Sequence, residues 1–399
     1  AVIQIKPYEI QIGGQTQEKA PLRIALISDL HLGRKFYGLT FLPQQEKMLT
    51  QIVQLVQEEH ISGVLLAGDI YDKPIPPADA VTLFDAFLTE LAQLQVQVFL
   101  ISGNHDSPER LQFGSRLLEE NRIHIAVVFR GELPCVTVSD ACGPLHIYLM
   151  PFVKFHEAAS FFKEQKPEDF SELLGQLIQQ TPICLAERNL LLYHGFVTDA
   201  TFAPECSDSE WQLGGMQNVD PAVFAPFDYV ALGHIHKPQW VQKGKIRYSG
   251  SILKYSFSES RQKKSVTILE FEEKGKLQVT ERELPVQTNL RTLRGPLEEL
   301  LRCAEPSEDW IRVELTDEKV VPYAIERLRT VYPNVLEMVY LKQEERTPAV
   351  RTEAAAVPTK TLLELLETFY QDVCQYPIAE DPEAEALLKD ICEEVGMNP

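Results

Sequence analysis

Short apolar runs alternate with longer stretches of helical periodicity from Arg23 onward. The segments RIALIS, GVLLAG and VQVFLIS have the length and composition of buried strands. Between them, apolar positions repeat at helical spacing around Met48 to Val56 and again from Ala78 to Leu94. The order strand, helix, strand, helix, strand predicts parallel strands joined by right-handed crossovers.

Later apolar runs are separated by shorter helical stretches or by none, and they are LHIYLM, NLLLYHG, DYVALGH and SVTILEF. This spacing is expected when a second sheet closes over the first. We therefore predict an α/β fold, a two-sheet sandwich flanked by helices.

The pattern changes after about Pro285. A small α/β module follows, with helical spacing at Leu297 to Leu301 and at Tyr323 to Val331, and with the strand-like runs RVEL and VLEMVYL. The polar stretch EERTPAVRTEAAAVPT then has the composition of a linker. The predicted segments are an N-terminal extension (1–21), the sandwich domain (22–285), the small module (286–343), the linker (344–358) and a C-terminal helical pair (359–399).

The C-terminal pair is predicted from two apolar stripes, at residues 362, 363, 365, 366, 369, 370 and 373 and at residues 387, 388, 391 and 395. An amphipathic helix needs a surface to pack against. The chain's own domain is one alternative. A partner protein is favoured, because a linker precedes the helices and their composition differs from that of the rest.

Composition indicates a soluble protein. Hydrophobic residues make up 44% of the 399 residues and charged residues 24%, and no apolar run approaches the roughly 20 residues that span a bilayer. The first residues do not have the basic and apolar regions of a secretory signal. The seven cysteines form no CxxC pair, which favours reduced thiols over a zinc or disulfide framework. We expect a cytoplasmic protein without a membrane segment.

The net charge of −20 argues at first against nucleic acid as a partner. Residues 361–399 contain ten acidic side chains and one basic one, so nearly half of that charge lies in the C-terminal segment. Basic side chains remain near the polar motifs described next, and they are Arg34, Lys35, Lys237, Lys243, Lys245, Arg247, Arg261, Lys263 and Lys264. Taken singly, each is better explained as solvated surface charge.

Five polar segments each follow a strand-like run, and they are Asp29-Leu30-His31, Gly68-Asp69, Gly103-Asn104-His105-Asp106, His194-Gly195 and Gly233-His234-Ile235-His236. In open α/β folds, ligands bind beyond the carboxyl ends of the strands. These segments are therefore expected to converge on one rim of the fold.

Aspartate and neutral histidine are oxygen and nitrogen ligands suited to Mn, Fe or Zn. Two such ions about 3.5–4 Å apart can clamp a phosphate and stabilise both the attacking and the leaving oxygen. One carboxylate has to bridge them, and Asp69 is the candidate because its strand is predicted to lie between the other two. Any one histidine alone would more often be a satisfied polar group. The remaining histidines, His60, His124, His146 and His156, are assigned structural or surface roles.

The order of these segments resembles that of the calcineurin-like metallophosphoesterases. Longer stretches are similar to the SbcD family, the nuclease subunits of bacterial SbcC/SbcD complexes, and they are ISDLHLGRKFYG, GDIYDKPIPPADAV, ISGNHDSPERLQFGSRLL, GHIHKPQ and RYSGSILKYSFSE. The similarity extends over residues 22 to 285. Beyond them, the small module resembles the family's capping domain, and the C-terminal pair resembles its SbcC-binding helices.

The resemblance implies two sets of metal ligands, one made of Asp29, His31, Asp69 and His236 and the other of Asp69, Asn104, His194 and His234. It also implies that His105 acts on the leaving oxygen and that Asp106 orients it. One departure concerns Asp72, which stands where archaeal and eukaryotic relatives have a histidine.

The resemblance implies a DNA nuclease that uses two divalent ions, with manganese expected and magnesium the alternative. Its activities would be 3′–5′ exonuclease on duplex ends and endonuclease on hairpins and single strands, in DNA repair and recombination. The ATPase SbcC would be its partner, in a heterotetramer that contains a homodimer of this chain. The chain has no GxxxxGK[ST] loop, so the ATP site is assigned to SbcC.

Two alternatives remain at the level of sequence. One is a general phosphodiesterase or phosphatase that does not act on DNA, which the small module and the C-terminal pair disfavour. The other is a scaffold for SbcC with a degenerate metal site, which the intact ligand set disfavours.

Overall fold

The computed structural model describes residues 21–162, 165–210, 217–303 and 307–341. Two compact units divide the chain, residues 1–340 and residues 341–399. The predictions for the N-terminal extension before residue 21, for the linker and for the C-terminal helical pair lie outside the described residues.

The strands are β1 (Leu22–Ile27), β2 (Lys35–Phe36), β3 (Leu39–Thr40), β4 (Gly63–Ala67), β5 (Gln97–Ile101), β6 (Ile123–Ala126), β7 (Cys135–Asp140), β8 (Gly143–Met150), β9 (Arg188–His194), β10 (Tyr229–Gly233), β11 (Gln239–Gln242), β12 (Ile246–Tyr248), β13 (Ser265–Phe271), β14 (Leu277–Glu283), β15 (Leu290–Gly295), β16 (Trp310–Leu315) and β17 (Val335–Tyr340). The α-helices are α1 (Leu42–Glu58), α2 (Ala78–Gln93), α3 (Pro108–Leu111), α4 (Ser115–Glu119), α5 (Phe155–Ala159), α6 (Phe170–Gln180), α7 (Leu297–Arg302) and α8 (Ala324–Arg329).

The first sheet has the strand order β14-β13-β1-β4-β5-β6. Strands β1, β4, β5 and β6 run parallel, with α1 and α2 in the crossovers, as the alternation of apolar runs predicts. The run SVTILEF, which forms β13, was expected in the second sheet. It pairs instead with β1 in antiparallel register, Ile24 opposite Leu269. An antiparallel neighbour needs no crossover helix, so the lack of one before β13 does not reveal its sheet.

The second sheet has the order β11-β12-β10-β9-β8-β7, and β8, β9, β10 and β12 are parallel. The sheets pack face to face, with Ile24 and Leu26 of β1 in one core cluster with Leu190 of β9. The alternate residues of β1 face α1 and α2, and α6 covers the outer face of the second sheet. Because the layers cover one another, the central strands β4, β9 and β10 are buried on both sides and read as continuous apolar runs. The α/β two-sheet sandwich is confirmed.

The small module is a parallel sheet, β15-β16-β17, covered by α7 and α8 around its own apolar core. Its Trp310 packs against Phe41, at the start of α1, with ring centroids 4.7 Å apart. Within the described part of the chain, no helix has the length and apolarity needed to cross a bilayer.

Candidate metal centre

The five polar segments meet at the carboxyl ends of strands from both sheets. Asp29 and His31 follow β1, Asp69 follows β4, and Asn104 and His105 follow β5. The second sheet contributes His194, at the end of β9, and the pair His234 and His236, after β10. The aspartates and histidines of the predicted ligand set are all buried, none more than 3% exposed. The predicted convergence therefore occurs, and it joins the two sheets.

These side chains form two groups, and the carboxylate of Asp69 lies between them. The groups are Asp29, His31 and His236, and Asp69, His194 and His234, each with its ligand atoms within 4.8 Å of one another. Oδ2 of Asp69 lies 3.6 Å from Nε2 of His31 and 3.6 Å from Nε2 of His194. Asp69 is thus equidistant from one histidine of each group, which is the placement that a bridging ligand needs.

Asn104 completes the second group. Its Oδ1 lies 3.1 Å from Nε2 of His194 and 2.9 Å from Nδ1 of His234. In the first group, the Nε2 atoms of His31 and His236 face each other at 3.1 Å. Nitrogen and oxygen atoms that crowd together in this way need either a shared proton or a cation between them.

Burial makes two of these histidines poor bases. Together with neighbouring histidines, burial lowers the pKa of His31 well below its usual range and that of His234 to about 3. Both rings are therefore neutral at pH 7 and offer lone pairs. Burial also raises the pKa of Asp69, but His194 and His105 outweigh this effect and hold it below its usual value. Neutral imidazoles beside an ionised carboxylate are the donors that a divalent ion takes. The arrangement fits a dinuclear centre.

The backbone at the centre is strained. Asp29, His31, Asp69 and His234 have φ values of 53°, 43°, 50° and 102°, a region that costs non-glycine residues about 1–3 kcal/mol each. Hydrogen bonds between the loops hold the first two in place, because the N–H of Asp29 donates to the Gly68 carbonyl and that of His31 to the Asp69 carbonyl. Strain of this kind is typical of functional sites.

Two glycines allow the loops to approach one another. A Cβ atom on Gly103 would overlap the carboxylate of Asp69, and one on Gly233 would overlap the carbonyl of Ala67. The Gly233 position lies where β10 of one sheet meets β4 of the other. Any larger residue would separate the two halves of the centre.

His105 and Asp106 have different surroundings. Nδ1 of His105 lies 2.9 Å from the carbonyl oxygen of Asp72, and its ring meets the ring of His31 edge-on, with centroids 4.7 Å apart. The Asp106 carboxylate accepts hydrogen bonds from the backbone N–H groups of Ile70, Tyr71 and Gly103. Burial and the nearby Asp69 together raise its pKa to about 7, against the effect of these N–H groups. Asp106 therefore fixes the loops after β4 and β5, and its role in orienting His105 stays a prediction.

Comparison with known proteins agrees with this geometry. Residues 22–238 match the family described as calcineurin-like phosphoesterase. The chain belongs to the calcineurin-like phosphoesterase family. Residues 286–373 of the phosphoesterase match a second family, described as type 5 capsule protein repressor C-terminal domain.

Curated relatives resemble the phosphoesterase over most of its length. The SbcD subunit of the SbcCD nuclease from Staphylococcus epidermidis is 27% identical over 88% of this chain and 93% of the relative. The protein of the same name from Staphylococcus saprophyticus is 28% identical over 79% and 84%. These matches confirm the resemblance to SbcD proteins. Among solved structures, a dimetal phosphatase from Danio rerio is 15% identical over 67% of this chain and 98% of that one, with a TM-score of 0.41.

A second layer of the phosphoesterase centre was not predicted from the sequence. His236 is surrounded by Ser209, Glu210, Glu259 and Lys264. Its backbone N–H donates to Oε1 of Glu210 at 2.6 Å. Burial alone would raise the pKa of Glu259, but Lys264 and His236 hold it well below its usual range. The one available signal was the run RYSGSILKYSFSE, which contains Glu259 and was used only for the resemblance.

A cleft of about 770 Å³ opens beside the centre. Asn104 and His105 form its inner wall, and the loop from Lys73 to Pro77 and the residues Gly33, Arg34, Lys35 and Asp72 form the rest. The Arg34 guanidinium pairs with Asp72 at 3.1 Å and lies over the ring of Tyr255. Asp72 thus holds an arginine at the mouth of the cleft.

Proposed function

We propose that this phosphoesterase is a metal-dependent DNA nuclease subunit that works with an SbcC-type ATPase. The observation that supports it most is the position of Asp69, equidistant from a histidine of each group. Nucleic acid is proposed as the substrate class because both staphylococcal relatives are named as nuclease subunits.

The proposed ligands are Asp29, His31, Asp69 and His236 for one ion, and Asp69, Asn104, His194 and His234 for the other. When bound, two divalent ions supply the positive charge that polarises a phosphate and activates water. We propose manganese, because the donor set combines carboxylate and imidazole without a thiolate.

The remaining steps belong to side chains of the protein itself. Nδ1 of His105 donates to the Asp72 carbonyl in the proposed tautomer, which leaves proton exchange with the leaving oxygen to Nε2. In the cleft, Arg34, Lys35 and Lys73 would bind neighbouring phosphates of the same strand. Such contacts favour a polymeric phosphodiester over an isolated phosphate ester.

The finer assignments follow the relatives. We propose 3′–5′ exonuclease activity on duplex ends and endonuclease activity on hairpins and single strands, in DNA repair and recombination. Residues 286–343 would form the capping domain, and residues 359–399 would bind the ATPase. Two copies of the chain would form the dimer of a heterotetramer in the cytoplasm, with the helical segments Ala78 to Leu94 and Glu109 to Leu118 as candidate contacts.

The test is cleavage of a DNA hairpin and a blunt duplex by the full chain with Mn²⁺, with and without the ATPase, beside a chromogenic phosphodiester. We expect DNA cleavage that Asp69→Asn abolishes and that Glu132→Gln, at an exposed position before β7, leaves unchanged. Hydrolysis of the small ester alone would identify a general phosphodiesterase. Bound Mn²⁺ with no hydrolysis of either substrate would identify a scaffold.

A further inference from the structure

A buried ion pair lies directly behind one of the predicted ligands. Glu259, at the end of a short 3₁₀ turn, and Lys264, just before β13, are 0% and 3% exposed, and their charged groups are 2.7 Å apart. We infer that Glu259 is a positioning residue for one metal ion only, the ion held by Asp29, His31 and His236.

The contacts of Glu259 orient the ring of His236. Oε1 of Glu259 lies 3.2 Å from Nδ1 of His236, and the hydroxyl of Ser209, 2.9 Å from the same nitrogen, donates to that carboxylate oxygen. A nitrogen that faces a carboxylate has to bear the proton. The lone pair is then on Nε2, which is the atom that faces His31.

Lys264 fixes the backbone of His236 as well as the carboxylate of Glu259. Its Nζ donates to Oε2 of Glu259 and, at 2.9 Å, to the carbonyl oxygen of His236. The ring and the main chain of one ligand are therefore fixed by the same ion pair. Apolar residues often replace a buried ion pair at no cost in stability, so stability is a weak explanation for this one.

The second group of ligands has a different support. Nδ1 of His194 lies 2.7 Å from the carbonyl oxygen of Ala67, which is a neutral acceptor. A carboxylate behind a histidine makes it a more basic ligand than a peptide carbonyl does. The two ions should consequently differ in how strongly they depend on Glu259.

The experiment is a titration of the full chain with Mn²⁺ in the absence of DNA, followed by calorimetry and by electron paramagnetic resonance. We expect Glu259→Gln to weaken one of two dissociation constants by about 10- to 100-fold and to leave the other within about twofold. The matched control is Glu187→Gln, whose carboxylate lies 2.6 Å from Nε2 of His146, away from the centre. Both constants should be unchanged in the control.

A double variant, Glu259→Gln with Lys264→Met, separates positioning from folding. The single variant leaves Lys264 buried without an opposite charge, and the double variant removes this lysine. Thermal stability should therefore recover, while the weakened Mn²⁺ dissociation constant stays weak. Equal weakening of both constants, no weakening, or recovery of affinity in the double variant would overturn the inference.

This inference rests on the ligand assignment proposed above but not on the substrate. A wild-type chain that fails to bind two ions would overturn that assignment together with the role of Glu259. If the wild type binds two ions and Glu259→Gln binds them equally well, only the inference fails.

Discussion

His105 differs from the other histidines of the centre, because its side chain is only half-buried and lines the cleft whereas theirs are buried. We expect His105→Gln to lower kcat for DNA cleavage by about 10²- to 10⁴-fold, since it removes a proton donor for the leaving oxygen. Mn²⁺ affinity, measured by titration, should stay within about threefold of wild type because none of the proposed ligands changes.

The control for that variant is His60→Gln, an exposed position that should leave both quantities unchanged. If His105→Gln lost Mn²⁺ and turnover together, His105 would have to be counted among the ligands.

Residue identities could be predicted where chemistry depends on the side chain and its spacing. Asp29, Asp69 and His194 were found because each follows an apolar run. Glu259 and Lys264 were not, because a buried charge is recognised only from the partner that the fold brings to it. The hydrogen bonds that Asp106 accepts were not predicted for a similar reason, since the fold brings three backbone N–H groups from two loops to its carboxylate.

At the scale of elements, helix α1 supports the loop after β1 through Gln45. This buried side chain donates to the carbonyl oxygens of Leu30 and His31 and accepts from the N–H of Gly33. We expect Gln45→Leu to lower the free energy of unfolding by about 1–3 kcal/mol, because it leaves the N–H of Gly33 without its acceptor and removes one of two donors to each of the two carbonyl oxygens. Denaturant unfolding of the full chain measures this.

The matched control is Gln54→Leu, an exposed position on the same helix, which should change the free energy of unfolding by less than about 0.5 kcal/mol. Similar values for the two variants would mean that the hydrogen bonds of Gln45 do not stabilise the loop.

The parallel elements of the first sheet could be predicted because helices in the crossovers leave a clear period in the sequence. The position of β13 could not, since its apolar run reads the same beside either sheet. The left-handed backbone of Asp29, His31 and Asp69 could not be predicted either, because nothing in an aspartate or a histidine demands it.

At the scale of the whole molecule, the charge of −20 opposes the proposed substrate. We expect weak binding of a DNA duplex by the chain alone, with a dissociation constant of about 10 μM or weaker at 150 mM salt. The basic surface would come mainly from the ATPase, so adding it should tighten binding and steepen the salt dependence. Fluorescence anisotropy at two salt concentrations measures both.

A tight, salt-sensitive complex formed by this chain alone would contradict that expectation. It would mean that the cations around the cleft suffice to hold the duplex despite the acidic balance of the whole.

The pairing of β1 with β13 has a consequence for biosynthesis. The first hundred residues of a nascent chain already contain Asp29 and Asp69, but His194, His234 and His236 emerge from the ribosome much later, and the first sheet is not completed until Phe271 has followed. No early fragment can assemble the full set of side chains at the centre. A nascent chain therefore cannot hydrolyse a phosphoester at this centre until both sheets have been synthesised.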